Sequence, residues 1–110
     1  MEFDRSQLMR GTIEGCILQL IGSRPTYGYD IVLRLQQYGF ADVGEGTIYP
    51  LLLRLEKRGL LSATFQPSPL GPSRKYYALT PQGRELLENF IQSWRELTAT
   101  VEAILKEDLS

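Results

Sequence analysis

Apolar positions recur at helical spacing in the stretch Gly46-Thr47-Ile48-Tyr49-Pro50-Leu51-Leu52-Leu53-Arg54-Leu55-Glu56-Lys57-Arg58-Gly59. Ile48, Leu51, Leu52 and Leu55 fall at i, i+3, i+4 and i+7, one face of an amphipathic helix. Thr47, Pro50, Arg54, Lys57 and Arg58 lie largely outside that stripe, and the only acids there are Glu45 and Glu56. Arg58-Gly59 gives a basic last turn followed by the residue that most easily takes a left-handed cap. Pro50 removes one backbone bond and predicts a local distortion, not a break, because the stripe continues on both sides. Such a helix, with hydroxyl, aromatic and basic groups outward, suits a major groove. On its own it reads first as a surface helix with a solvated side, and the neighbouring segments decide between the two.

Upstream, Ser6 caps a first helix predicted over residues 6–21, with Leu8, Ile13, Ile17, Leu20 and Ile21 supplying its periodicity. Gly11 and Gly15 lie four apart in it, which marks either a close approach by another segment or ligand, or a weak helix. Ser23-Arg24-Pro25-Thr26 breaks the pattern. A second helix begins near Tyr27-Gly28-Tyr29, turns Ile31, Val32 and Leu35 inward and ends at Tyr38-Gly39. Residues 40–46 are the turn into the helix described first.

Downstream, residues 60–65 read as a short strand and 74–79 as a second. Between them, Gln66-Pro67-Ser68-Pro69-Leu70-Gly71-Pro72-Ser73 is too rich in Pro, Gly and Ser for regular structure. The three pieces make a hairpin wing. Tyr76 and Tyr77 point to opposite faces, so one of them is core, and alternation alone does not say which. Thr80-Pro81 is an N-cap followed by Pro at the first helical position. The final helix runs from Pro81 to about Lys106. Leu87, Phe90, Trp94, Leu97, Val101 and Ile104 step alternately by three and four along it, a heptad seam. At about 25 residues it is about 38 Å long, too long for the small body to cover. The simplest partner for its seam is the same helix in a second copy, a homodimer; the alternative is a helix folded back on its own domain.

With 110 residues, 43% hydrophobic and 23% charged, the chain has the size and composition of one ordinary soluble domain. No apolar run approaches the length that crosses a bilayer, and Met1-Glu2-Phe3-Asp4-Arg5 shows no signal-peptide pattern. A lone Cys16 in an apolar segment reads as a small core residue of a reduced, cytoplasmic protein. The chain has no histidine, which removes Cys/His zinc sites and both Ser-His-Asp and Cys-His catalysis. No catalytic residue, metal ligand or cofactor is assigned, although a carboxylate-based enzyme stays formally open. The net charge of −1 hides an uneven distribution. Over residues 44–79 five bases (Arg54, Lys57, Arg58, Arg74, Lys75) meet two acids (Glu45, Glu56), whereas residues 81–110 hold three bases and six acids. A basic middle with an acidic tail fits a DNA reader whose far side faces away from phosphate.

These elements make an α+β, mostly α fold: a winged helix-turn-helix over residues 1–80, with 6–21 also contributing to a dimer interface, and a dimerisation helix over 81–110. The residues themselves are similar to those of a known family. Gly46-Thr47-Ile48-Tyr49-Pro50, Arg54-Leu55-Glu56, Gly59-Leu60-Leu61 and Gly71-Pro72-Ser73-Arg74-Lys75-Tyr76-Tyr77-Ala78-Leu79-Thr80-Pro81-Gln82-Gly83 resemble the signature of the PadR-like transcriptional regulators. Arg10-Gly11-Thr12 and Tyr27-Gly28-Tyr29-Asp30-Ile31 match as well. The resemblance spans nearly the whole chain, and the short C-terminal part resembles the compact subfamily with one long final helix.

The resemblance implies a homodimeric bacterial repressor that sets two winged helices in successive major grooves of a near-palindromic operator on double-stranded DNA, released by an effector. Several compact members are similar to multidrug-sensing repressors in which a flat aromatic compound slips between two copies of a final-helix tryptophan. Trp94 matches that position. By the same alignment Ile91, Thr98 and Val101, with Leu8, Gly11 and Gly15 of the first helix, line the cavity. Trp94 equally reads as interface core. Three positions depart from the family: Gly44-Glu45 replaces a common serine cap and proline, Leu53 a commonly polar residue, and Thr98 the acid of some drug-binding members. A preference for cationic drugs is therefore not implied.

For DNA, Thr47 and Tyr49 offer hydroxyls to phosphate, and Arg54 reaches phosphate or a guanine edge. Tyr49 has half-buried packing as its alternative. Arg74 and Lys75 on the wing face the backbone or minor groove, and Pro50 and Tyr76 complete the DNA-binding set from the two family blocks. The leading reading is thus a dimeric, sequence-specific DNA-binding transcriptional regulator, a repressor released by a small planar aromatic effector at the dimer interface. The alternative is a winged-helix protein–protein adaptor without DNA binding.

Overall fold

Gly11 splits the first predicted helix in two. In the computed structural model, which describes residues 1–110, α1 spans Arg5–Met9 and α2 spans Thr12–Ser23. The expectation of one helix over 6–21 is therefore corrected. Gly11 sits at φ +83°, a left-handed conformation that only glycine takes without cost, and it caps α2 with open space around it. Asp4, not Ser6, caps α1: its carboxylate accepts from the Ser6 N–H at 3.0 Å.

The remaining elements are β1 (Thr26–Tyr27), α3 (Gly28–Tyr38), α4 (Glu45–Lys57), β2 (Leu61–Ser68), β3 (Gly71–Leu79) and α5 (Pro81–Leu105). α3 ends on Gly39 at φ +126°, as the Tyr38-Gly39 pair predicts. α4 continues through Pro50. Ile48, Leu52 and Leu55 are buried in its inner face, and Leu51 packs partly against the core. They share one core with Ile17, Leu18 and Ile21 of α2 and Ile31, Val32 and Leu35 of α3. Tyr77 and Leu61 bring the sheet to that core, and Leu87 brings α5.

The sheet has three strands in the order β1-β3-β2, all antiparallel. β1 lies where only a helix break was expected. Two residues are too few to show a period, yet Thr26 pairs with Tyr77 and Tyr27 with Tyr76. The wing is also longer and more regular than its composition suggests, with only Pro69-Leu70 left as its turn. Pro67 is tolerated because β2 is an edge strand, and the register shifts there, between Gln66 and Ser68. Pro72 lies beyond the reach of β1, where β3 has a partner on one side only.

Thr80 fastens the wing to α5. Its hydroxyl accepts from the Gly83 N–H at 3.0 Å and donates to the Gly59 carbonyl at 2.6 Å. Leu60 is next to this clasp, and the backbone of Gly83 lies directly against the Leu60 carbonyl. Any Cβ at residue 83 overlaps that oxygen. Only the first part of α5 has such support. Gly83 and Leu87 are its buried residues, and beyond Ile91 nearly every position is exposed. The protruding helix makes the chain 62 Å long and only 20 Å thick.

Gly83→Ala should therefore force α5 away from Leu60 and lower stability by about 1–3 kcal/mol, the usual range for overpacking. A thermal melt followed by circular dichroism reads this as a fall of several degrees. Thr80→Ala, which removes the cap alone, should cost about 1 kcal/mol.

Candidate nucleic-acid interface

α3, the turn after it and α4 form the helix-turn-helix, and β2 and β3 form the wing beside it. With Ile48, Leu52 and Leu55 inward, the exposed crest of α4 carries Gly46, Pro50, Leu53 and Lys57. Tyr49 flanks this crest on the wing side, and Thr47 and Arg54 flank it on the α1–α2 side.

On the wing side, Tyr49 and Leu53 join Tyr27, Gly28 and Tyr29 with Arg74, Lys75 and Tyr77 around a cleft of about 500 Å³. Gly28 makes the cleft possible, since a Cβ there would overlap the Tyr49 ring. The packing alternative for Tyr49 is present: its ring lies on Gly28 of α3, while the residue remains partly exposed. Loss of water around it, then the neighbouring Glu45 carboxylate, pushes its phenol above the ordinary tyrosine range, so the group stays a neutral donor. Tyr77 is the core tyrosine of the pair, and Tyr76 is half-buried, edge-on to Tyr27 at 5.3 Å.

Arg74 lies over the Tyr27 ring, 4.4 Å from its centre, with its side chain on the surface. Stacking holds the guanidinium plane without using its hydrogen-bond donors. Lys75 is held more tightly. Its ammonium is 2.8 Å from the Glu56 carboxylate and 5.4 Å from the Tyr77 ring centre. The hydrogen bond to Glu56 holds its pKa above the usual lysine range.

On the other flank, Thr47 lies apart from Tyr49. It borders a second cleft of about 760 Å³ between the N-terminal segment, Ile13 of α2 and the turn containing Phe40 and Val43. Arg54 is paired with Glu14 of α2. The DNA-binding set read from sequence therefore falls into two groups: Tyr49, Arg74, Lys75 and Tyr76 on the wing side, Thr47 and Arg54 opposite, with Pro50 between. Two of the five bases of the basic middle are matched by Glu14 and Glu56, whereas Lys57 and Arg58 make no ion pair. Tyr27 and Tyr29 were missed as cleft walls. The signal was present in Tyr-Gly-Tyr, an aromatic pair around the one residue that admits a ring.

The seam residues divide likewise. Leu87 corrects the seam as drawn: it is buried within its own chain, because the first turns of α5 lie on α2. Phe90 is half-buried and covers Gly15, where a Cβ would overlap the ring. Gly15 thus faces a side chain of its own chain, while Gly11 owes its identity to its conformation. Trp94 is 44% exposed and stacks on Phe90 with ring centres 6.3 Å apart. Leu97, Val101 and Ile104 are exposed, as is Leu8 on α1, and Ile91 is half-buried. The Thr98 hydroxyl donates back to the Trp94 carbonyl at 2.8 Å. Burial raises the pKa of the Cys16 thiol, which disfavours its thiolate. No cluster of three or more His, Cys, Asp or Glu side chains is placed to hold a metal ion. No helix is long and apolar enough to cross a membrane.

Comparison with known proteins agrees with this architecture. The profile of the transcriptional regulator PadR-like family matches residues 17–89. The crystal structure of a PadR-like transcriptional regulator from Bacillus cereus superposes with a TM-score of 0.86 at 46% identity, over 93% of this chain and 99% of that one. A Streptococcus transcriptional regulator gives 0.83 at 45% identity, over 91% and 98%. A transcriptional regulator of Mycobacterium tuberculosis is 32% identical over 95 residues, covering 86% of this chain and 87% of that protein. The fold is a winged helix-turn-helix with a long C-terminal helix, and the chain belongs to the PadR-like family of DNA-binding transcriptional regulators, which are not enzymes.

Proposed function

We propose that the chain is a homodimeric repressor. Residues 1–80 are its DNA-binding unit, and residues 81–110 join two copies. The observation that carries the reading is the exposed row Trp94, Leu97, Val101 and Ile104 on a helix that outruns its own body. An apolar row of this kind is stable in water when a second copy covers it. The covered pair would set two α4 crests at a fixed spacing, to be matched by about 34 Å of near-palindromic DNA. Each crest would lie in a major groove with its wing against the backbone, where Arg74 keeps its donors free for phosphate.

Release would act through the same helix pair. Trp94 presents an aromatic face at the seam, so a flat aromatic molecule held between two copies would change the angle between subunits and the spacing of the crests. A coupling of about 1–3 kcal/mol is enough for useful induction. Ile91, Val101 and Leu8 would supply apolar walls. Thr98, with its hydroxyl satisfied internally, would add little polarity, which suits a neutral ligand.

Leu97→Glu with Ile104→Glu should convert the dimer to a monomer in sedimentation at micromolar concentration; a wild-type chain already monomeric there removes the two-copy reading. Arg74→Ala should weaken binding to duplexes of different sequence about equally and reduce the salt slope by about one for each phosphate that Arg74 neutralises. Absence of wild-type binding to its own promoter at low salt would favour a protein–protein adaptor. Trp94 fluorescence should be quenched by at least one planar aromatic in a panel, with DNA released in parallel; a panel without quenching leaves Trp94 as packing.

A further inference from the structure

Arg54 has two anions to choose between. Its Nη2 is paired with Glu14 Oε1, forty residues earlier on a different helix. The arginine side chain is 58% exposed and the glutamate 25% exposed, so the carboxylate is the anchored partner and the guanidinium the movable one. Glu14 is also placed by the residues beside it. Ile13 and Gly15 are buried, and Phe90 of α5 lies across Gly15. Arg54, by contrast, rises from the flank of the crest, two turns beyond Gly46, where a phosphate of a groove-bound duplex would pass.

We propose that Glu14 limits DNA affinity by competing with phosphate for Arg54. This rests on the DNA-binding reading above and adds a residue outside α4 and the wing. A closed pair presents no net charge to the duplex. To use Arg54, the phosphate must take the guanidinium from Glu14 and leave that carboxylate facing a polyanion. Exposed ion pairs are weak, so the exchange is feasible, yet its cost falls on every complex formed. The same pair joins α4 to α2, the helix on which Phe90 rests with Trp94 stacked on it, so a shift of α5 across Gly15 would also move the carboxylate that holds Arg54.

The test is a double-mutant cycle on the full chain, with a fluorescent mixed-sequence duplex of about 30 base pairs titrated across about 20–300 mM salt. Glu14→Gln keeps the shape and removes the charge. It should tighten binding about three- to tenfold at low salt and steepen the salt slope by about one for each subunit. In an Arg54→Ala background the same change should give less than half that gain in logarithmic terms, because only the long-range charge effect remains. An equal gain in both backgrounds overturns the proposal, since it would make Glu14 one acid among others. Weaker binding by Glu14→Gln overturns it in the opposite sense, with Glu14 orienting Arg54 toward DNA. If the wild-type chain binds no duplex even at low salt, the DNA-binding reading fails and takes this inference with it; binding with a Glu14-independent slope removes this inference alone.

Discussion

The angle at which the long helix leaves the body depends on backbone packing that a single methyl group would prevent. Gly83 sits on the Leu60 carbonyl, and Gly15 lies under the Phe90 ring. These contacts draw α5 onto the wing root at one point and onto α2 at another. They are steric, so they tolerate little drift: interiors packed at crystal-like density shift in discrete steps, not continuously. Leu87 then enters the common core, and the Thr80 clasp closes the remaining polar groups at the junction. The exposed half of α5 is held in direction only by what happens in its first three turns.

Electrostatics on the opposite side follows a different logic. The face that carries α4 and the wing is sparingly basic, and part of its charge is used internally, by Lys75 with Glu56 and Arg54 with Glu14. Both pairs link α4 to a neighbouring element; the half-buried Lys75 is held in place by its pair, whereas Arg54 stays largely exposed and movable. Arg74 gains the same order from stacking on Tyr27 without giving up its charge. A surface prepared this way loses less side-chain entropy on binding, and it trades nonspecific attraction for a defined arrangement.

Much of this was legible in the sequence because the signals are local. The stripe of α4, the Gly39 stop and the Thr80-Pro81 start each lie within one or two turns, and each appears where expected. What the sequence hid is non-local or conformational. Gly11 looks like Gly15 as a letter, yet one is needed for its φ and the other for a ring that arrives from residue 90. β1 is recognised only by its pairing with β3. Pro67 and Pro72 argue against strands until the pairing shows that β2 is an edge strand with a register shift at Pro67 and that β1 stops short of Pro72. The Glu14–Arg54 pair leaves no trace in spacing, because a tertiary contact across forty residues has no period. Leu87 fits the seam by number and the core by position, and only the packing of α5 on α2 separates the two.

The sheet has one further mechanical property. At its base β3 is bonded on both sides, to β1 through Tyr76 and Tyr77 and to β2. Past Lys75 it is bonded on one side only, and past Gln66 the register slips. The wing is therefore a stiff root carrying a compliant blade. The root is welded to the start of α3 and moves with the helix-turn-helix as one piece. In the DNA-bound arrangement proposed above, such a blade would bend to follow a backbone whose groove width varies, and the two parts would divide the work of holding register and accommodating shape.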